Sequence, residues 1–251
     1  MKFIKTSVSQ LLNNNTKIEK TIGILMAVLL MVSMLLLARE AANVSNSQNN
    51  VVESSDKLSV MIDAGHGSTD CGKVGINKIL EKDVNLNIAL RVKSLLEAQD
   101  VKVFMTRADD KGFYPSSGSN KKIQDMKKRV EFINTTQPDI TVSIHQNSYE
   151  GESIHGAQAF YYGTSGEGKI AAEIMQKQLV QTLDNENKRE AKNNSSYYLL
   201  KKTETPIIIV ECGFLSNYKE AELLSTPEYQ EKVAWAIHLG ILKYLNSRKA
   251  E

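Results

Sequence analysis

The sequence predicts a single α/β domain, a mostly parallel twisted sheet flanked by helices on both faces, preceded by an N-terminal membrane-spanning helix. Three observations carry this reading. From Lys57 onward, apolar runs rich in β-branched and aromatic residues alternate with segments whose apolar residues recur at helical spacing. Near the start, TIGILMAVLLMVSMLLLA (21–38) is an uncharged run of 18 residues that follows Lys2, Lys5, Lys17 and Lys20. Between the two lies AANVSNSQNNVVESSD (41–56), rich in Asn and Ser with little to bury.

Taken in order, residues 1–20 are expected on the cytoplasmic side, because flanking lysines hold the N-terminus inside. Residues 21–38 reach the lower length limit of a spanning helix and exceed the usual apolar core of a cleaved signal. Arg39 and Glu40 spoil the nearest cleavage site, so the segment reads as an uncleaved signal anchor, with a cleaved signal and a secreted domain as the alternative that Ala38, Ala41 and Ala42 leave open. Residues 39–56 form a flexible linker, and 57–251 the outer domain. Strands are expected at LSVMID (58–63), VKVFMT (101–106), ITVSIH (140–145), AQAFYY (157–162) and IIIVEC (207–212). Helices are expected over 83–98, over 121–136 on Ile123, Met126, Val130 and Ile133, and over 168–184 on Ile170, Ile174 and Leu179. Thr226-Pro227 reads as the cap and first position of a final helix, with Val233, Ile237, Ile241 and Tyr244 as its buried stripe.

Hydrophobic content of 41% and charged content of 24% are those of a globular chain, and a net charge of +2 gives no reason to expect nucleic acid as a partner. Cys71 and Cys212 are too few for a disulfide framework and read as spare thiols. The basic run KKIQDMKKR (121–129) reads as the solvated face of a helix.

In open parallel sheets, function sits beyond the carboxyl ends of the strands. There the sequence places His66 on a Gly-His-Gly turn, His145 at the end of ITVSIH, and Glu211 near the end of IIIVEC. Glu81, at the start of a helix, is a fourth candidate. Taken singly, His66 could be a turn residue, His145 a satisfied core histidine and Glu81 an acid favoured by the helix dipole. Glu211 is harder to dismiss, since a carboxylate within a Val/Ile strand is costly to bury alone. Together they supply two imidazoles, a ligating carboxylate and a second carboxylate able to take a proton from water, the parts of a catalytic zinc site. His155 is expected in an exposed loop and His238 at the surface or boundary of the last helix. Cys212 should point to the face of its strand opposite Glu211.

The four segments DAGHG (63–67), LEKDVNLNIA (80–89), SIHQN (143–147) and VECGFLSN (210–217) resemble, in order, the zinc-dependent N-acetylmuramoyl-L-alanine amidases, peptidoglycan hydrolases with one α/β domain. The resemblance spans Leu58 to Leu245. It implies one Zn²⁺ per chain on His66, Glu81 and His145, with Glu211 as the catalytic carboxylate. The bond implied is the amide joining the lactyl group of muramic acid to L-alanine of the stem peptide. The family commonly reads SIHAN where this chain has Gln146. Arg107 and Arg129 stand where the family has arginines and are expected to support the groove or touch substrate; Asn147 is expected to orient a ligand or a substrate carbonyl. The anchor, the short spacing and the segments AQAFYYG and VECGFLSN look most like the germination-specific members of spore formers. That implies a role in spore cortex maturation, preparing the cortex for muramic-δ-lactam, and a catalytic domain outside the cytoplasm, in the forespore intermembrane space. The expected partners are peptidoglycan and the membrane through the N-terminal helix; no spare plugging helix fits between His145 and Glu211, which leaves control either to expression timing or to a separate activating protein. Two alternatives stay open: a zinc peptidase cutting within the stem, and an inactive peptidoglycan-binding module.

Overall fold

A computed structural model describes residues 25–26, 28–36, 38–39, 57–113 and 120–248. The chain divides into two units, with the boundary between Asp56 and Lys57. In the first, the described residues between 25 and 39 are helical. Among the described residues no helix is long and apolar enough to cross a membrane. The rest of the expected anchor, residues 1–20 and the linker 40–56 lie outside the described residues.

The second unit is built on a six-stranded sheet in the order β2-β1-β3-β6-β4-β5. Its strands are β1 (Ser59–Ala64), β2 (Lys102–Met105), β3 (Ile140–Asn147), β4 (Gln158–Tyr161), β5 (Lys192–Asn193) and β6 (Ile207–Phe214). The helices are α1 (Glu81–Glu97), α2 (Lys121–Thr136), α3 (Gly166–Leu183), α4 (Tyr198–Lys202), α5 (Tyr218–Leu224) and α6 (Pro227–Arg248). All neighbouring strands run parallel except β4 and β6, which are antiparallel.

Alternation along the strands sorts the side chains into two layers. Val60, Ile62 and Ala64 of β1, Val142 and Ile144 of β3, and Ile208, Val210 and Cys212 of β6 share one core with residues of α1, α3 and α6. Met61, Ile207 and Ile209 face the other way, into a smaller core with Ile133 of α2 and Leu199 and Leu200 of α4. Asp63, Ser143, His145 and Glu211 fall in the alternating positions of that second face. The strand register then sets Asp63 beside Ser143 and His145 beside Glu211. Two adjacent strand ends therefore deliver an imidazole and a carboxylate to one edge of the sheet.

Several expectations need correction. His238 is buried rather than at the surface, and neither ring nitrogen has a partner. The reason is that α6 packs against α1, α3 and α5 together, so a wider arc of it is covered than one apolar stripe. Ile123 and Ile170 are exposed; α3 does bury Leu179 and packs Ile174 on the core, but in place of Ile170 it turns Ala171, Ala172 and Met175 inward. Three short elements, β5, α4 and α5, have no counterpart in the sequence reading.

Candidate metal centre

The first candidate ligand, His66, stands on a turn that the sequence has to force. His66 adopts φ 61°, a left-handed conformation that costs a non-glycine residue of order 1–3 kcal/mol. The surroundings hold it there: Arg129 Nη2 donates to the His66 carbonyl at 2.6 Å. The flanking glycines have separate reasons. A Cβ on Gly65 would lie 2.3 Å from His145 Cε1, so the second ligand's ring rests directly on this backbone. Gly67 has φ +134°, and a Cβ there would meet Arg107 Cδ at 3.0 Å.

His66, Glu81 and His145 converge, with one donor atom from each lying within 4.8 Å of the others. Glu81 Oε1 is 3.1 Å from His66 Nε2 and 2.9 Å from His145 Nδ1. The same carboxylate accepts from the backbone N–H of Lys73 at 2.8 Å and of Gln146 at 3.1 Å, and from Asn85 Nδ2 at 3.3 Å. Burial opposes its charge, but the hydrogen bonds and charges of both histidines outweigh that and hold it well below the usual carboxylate range. Two imidazoles and an ionised carboxylate facing one point fit a divalent, nitrogen-preferring metal.

Supporting residues fix the ligands. Asp70 Oδ2 lies 3.0 Å from His66 Nδ1, leaving Nε2 to face Glu81. Burial works against ionisation of Asp70, yet the hydrogen bond and charge of His66 bring it down to about 2. Gln146 points to the opposite face from His145, where its Nε2 donates to Asn85 Oδ1 at 3.1 Å. Asn85 in turn donates to Glu81 and to the Gly65 carbonyl. The departure from the family's usual alanine thus contributes a hydrogen bond two steps from the metal ligands. Sequence reasoning passes over Asp70 and Asn85. Their one legible signal is spacing, since each lies four residues after a ligand.

Loss of a carboxylate that hydrogen-bonds a ligating imidazole typically weakens metal binding 10–100-fold. If the cluster binds a divalent metal, Asp70→Asn is expected to raise the dissociation constant for added zinc by about that factor, read by competition with a chromophoric chelator. An unchanged constant would mean that the backbone alone orients His66.

Glu211 is 7% exposed, and its Oε2 is buried with no hydrogen-bond partner. Burial raises its carboxyl; the His145 charge opposes and Glu81 adds to the rise, leaving it at about 7. Arg107 and Arg129 direct their donors at the protein itself. Arg107 donates to the carbonyls of Ala64, Gly65 and Lys82. Arg129 bonds Asp63, Asp125 and the carbonyls of Ala64 and His66. Asn147 lines the cleft at the end of β3, and its Oδ1 accepts from the Ser148 N–H. Cys71 and Cys212 are free thiols, Cys212 buried on the far face of β6. His155 is exposed in its loop.

His66, Glu81, His145 and Glu211 line a cleft of about 500 Å³, whose walls also include Lys73, Lys122, Met126, Tyr197, Tyr198 and Leu199. A buried carboxylate with a free oxygen, beside a three-ligand cluster at the wall of a cleft, is suited to hydrolysis of a polarised carbonyl.

Comparison with known proteins agrees with this chemistry. A family model described as N-acetylmuramoyl-L-alanine amidase matches residues 60–243. The germination-specific N-acetylmuramoyl-L-alanine amidase of Bacillus subtilis (strain 168) is 40% identical over 192 residues, covering 75% of this chain and 80% of that protein. Among solved structures, the CwlD amidase from Clostridioides difficile, in complex with the GerS lipoprotein, is 39% identical with a TM-score of 0.73, over 76% of this chain and 99% of that one. The catalytic domain of the N-acetylmuramoyl-L-alanine amidase CwlV from Bacillus (Paenibacillus) polymyxa var. colistinus is 32% identical with a TM-score of 0.67, over 75% of this chain and 98% of that one.

Proposed function

The chain belongs to the N-acetylmuramoyl-L-alanine amidase family, and from that premise we propose that it is a zinc-dependent hydrolase of spore-cortex peptidoglycan. The bond cut is the amide between the lactyl group of muramic acid and L-alanine, and one Zn²⁺ is bound per chain. The catalytic domain stands outside the cytoplasm, in the forespore intermembrane space, on the anchor at 21–38. The observation that carries the chemistry is the pairing of His145 with Glu211 across β3 and β6, next to His66 and Glu81.

Zinc held by His66, Glu81 and His145 supplies a Lewis acid that polarises a carbonyl and acidifies water. The chain supplies the rest. Glu211, with Oε2 unpartnered, takes the proton of the attacking water and hands it to the leaving amine of L-alanine. A carboxylate with one oxygen free of other donors suits both halves of that transfer. Asp70, Asn85 and Gln146 keep the ligating side chains in place, and Arg129 holds the strained His66 turn. A separate activating protein fits this reading, since the C. difficile amidase was solved in complex with a lipoprotein.

The test uses the full chain. Elemental analysis is expected to find one zinc, and incubation with purified cortex peptidoglycan to release stems that begin with L-alanine, identified by mass spectrometry. Fragments cut inside the stem would favour a zinc peptidase. A zinc-loaded chain that releases nothing, alone or with a partner, would favour the binding module.

A further inference from the structure

We propose that Tyr197 is a positioning residue of the reaction, holding Glu211 through one carboxylate oxygen so that the other is presented to the proton being moved. This rests on the reading of Glu211 as the proton-transfer residue. Tyr197 Oη donates to Glu211 Oε1 at 3.4 Å. Among the described residues it is the only side chain hydrogen-bonded to that carboxylate, and Oε2 has no partner. Gln158, directly opposite Glu211 on β4, is occupied elsewhere: its Nε2 donates to the Glu190 carbonyl and its Oε1 accepts from Arg189.

The tyrosine is built into place from both ends. The Asn194 N–H donates to the Tyr161 carbonyl at 2.8 Å, which ties the loop to the end of β4. Asn194 Oδ1 then accepts from the N–H groups of Ser196 and Tyr197, a turn that side-chain amides form readily. Beyond it, Leu199 and Leu200 fasten α4 into the smaller core. The ring meets Phe160 edge-on, with centroids 5.7 Å apart. Backbone and ring are thus fixed without the hydroxyl, which is the one part directed at Glu211. Burial, with the charge of Glu211 and the bond to it, pushes that hydroxyl up to about 12, so it keeps its proton and acts as donor at working pH.

The terminal torsion of a glutamate is broad, so an untethered carboxylate would sample orientations in which neither oxygen faces the reacting water. A single bond to Oε1 removes that freedom. Its length is that of a bond able to tighten in the substrate complex. The simpler role for a buried tyrosine, packing with its hydroxyl merely satisfied, predicts that phenylalanine replaces it without loss.

Tyr197→Phe therefore decides the matter, measured in the zinc-loaded full chain on a soluble muramoyl-peptide. We expect kcat to fall about tenfold, the scale of one hydrogen bond, with KM, zinc content and melting temperature unchanged. Combined with Glu211→Gln, it should lower kcat no further than Glu211→Gln alone. A kcat within twofold of the parent would overturn the proposal, as would a raised KM with kcat preserved, which would make Tyr197 a substrate contact. An additive loss in the double variant would also overturn it. Absence of product from the zinc-loaded parent, both alone and with an activating protein, would fail the amidase reading first, and this one with it.

Discussion

Replacing Glu211 with Gln is expected to lower kcat by about 10²–10⁴-fold, the range general acid–base catalysis contributes, while zinc content stays at the parent value. Gln keeps the shape and can still accept from Tyr197, so the cleft does not collapse; only the proton-accepting oxygen is lost. The proposed ligands His66, Glu81 and His145 are untouched. The same substitution should stabilise the metal-free chain. Glu211 titrates at about 7 in the fold, above its ordinary value near 4.3. The folded state therefore favours the neutral carboxyl, and ionisation penalises folding progressively as pH rises from about 4 through about 7. Gln removes that penalty, so the melting temperature of the metal-free variant should exceed the parent's at pH 8 and match it near pH 4. Activity and stability would then move in opposite directions, as expected where a buried charge is retained for chemistry. A variant that keeps a tenth of the parent's kcat would assign the proton to another group. Loss of zinc would make Glu211 a ligand instead.

The sheet is legible because β1, β3 and β6 are buried on both faces and read as near-continuous apolar runs. The elements that escape the sequence are those with too little local signal. β5 has two residues and α4 five; both exist because neighbours hold them, α4 through Leu199 and Leu200. α5 carries a readable cap, Asn217 Oδ1 accepting from the Glu220 N–H, but only seven residues follow it. At the site, His66, His145, Glu81 and Glu211 are visible because strand ends and a helix start locate them in one dimension. Tyr197 and Asp63 are not visible, because their roles depend on pairings between segments. Tyr197 reaches Glu211 only after α4 and a turn fold back. Asp63 reads as the last residue of a strand, with its partner Arg129 lying 66 positions away. His238 shows the opposite failure: a polar residue one step off an apolar stripe reads as surface until three helices close around it.

Removing the charge of Asp63 should cost about 3–5 kcal/mol of stability in Asp63→Asn, because it strands a buried guanidinium. Arg129 is 1% exposed and Asp63 not at all. They meet at 2.6 Å, and Thr106 and Ser143 donate their hydroxyls to the same carboxylate at 2.7 and 2.5 Å. Burial alone would raise the Asp63 carboxyl, but the Arg129 charge and the two hydroxyls bring it down to about 2. Its folded value is thus depressed below an unfolded value near 3.9. The stabilisation is fully present above about pH 4 and lost as pH falls toward about 2, an effect of roughly 2–3 kcal/mol. Asp125, also bonded to Arg129 at 2.6 Å, supplies less cover: burial raises its carboxyl despite the guanidinium, and its Oδ1 has no partner. Urea unfolding should therefore show a large gap between parent and Asp63→Asn at pH 7 that narrows by pH 3. Equal midpoints at pH 7 would mean that Asp125 alone neutralises Arg129. The loss should also reach the metal centre, because Arg129 holds the carbonyls of Ala64 and His66. Zinc affinity measured on the folded fraction of Asp63→Asn is expected to fall with it, since the left-handed His66 turn loses the group that braces it.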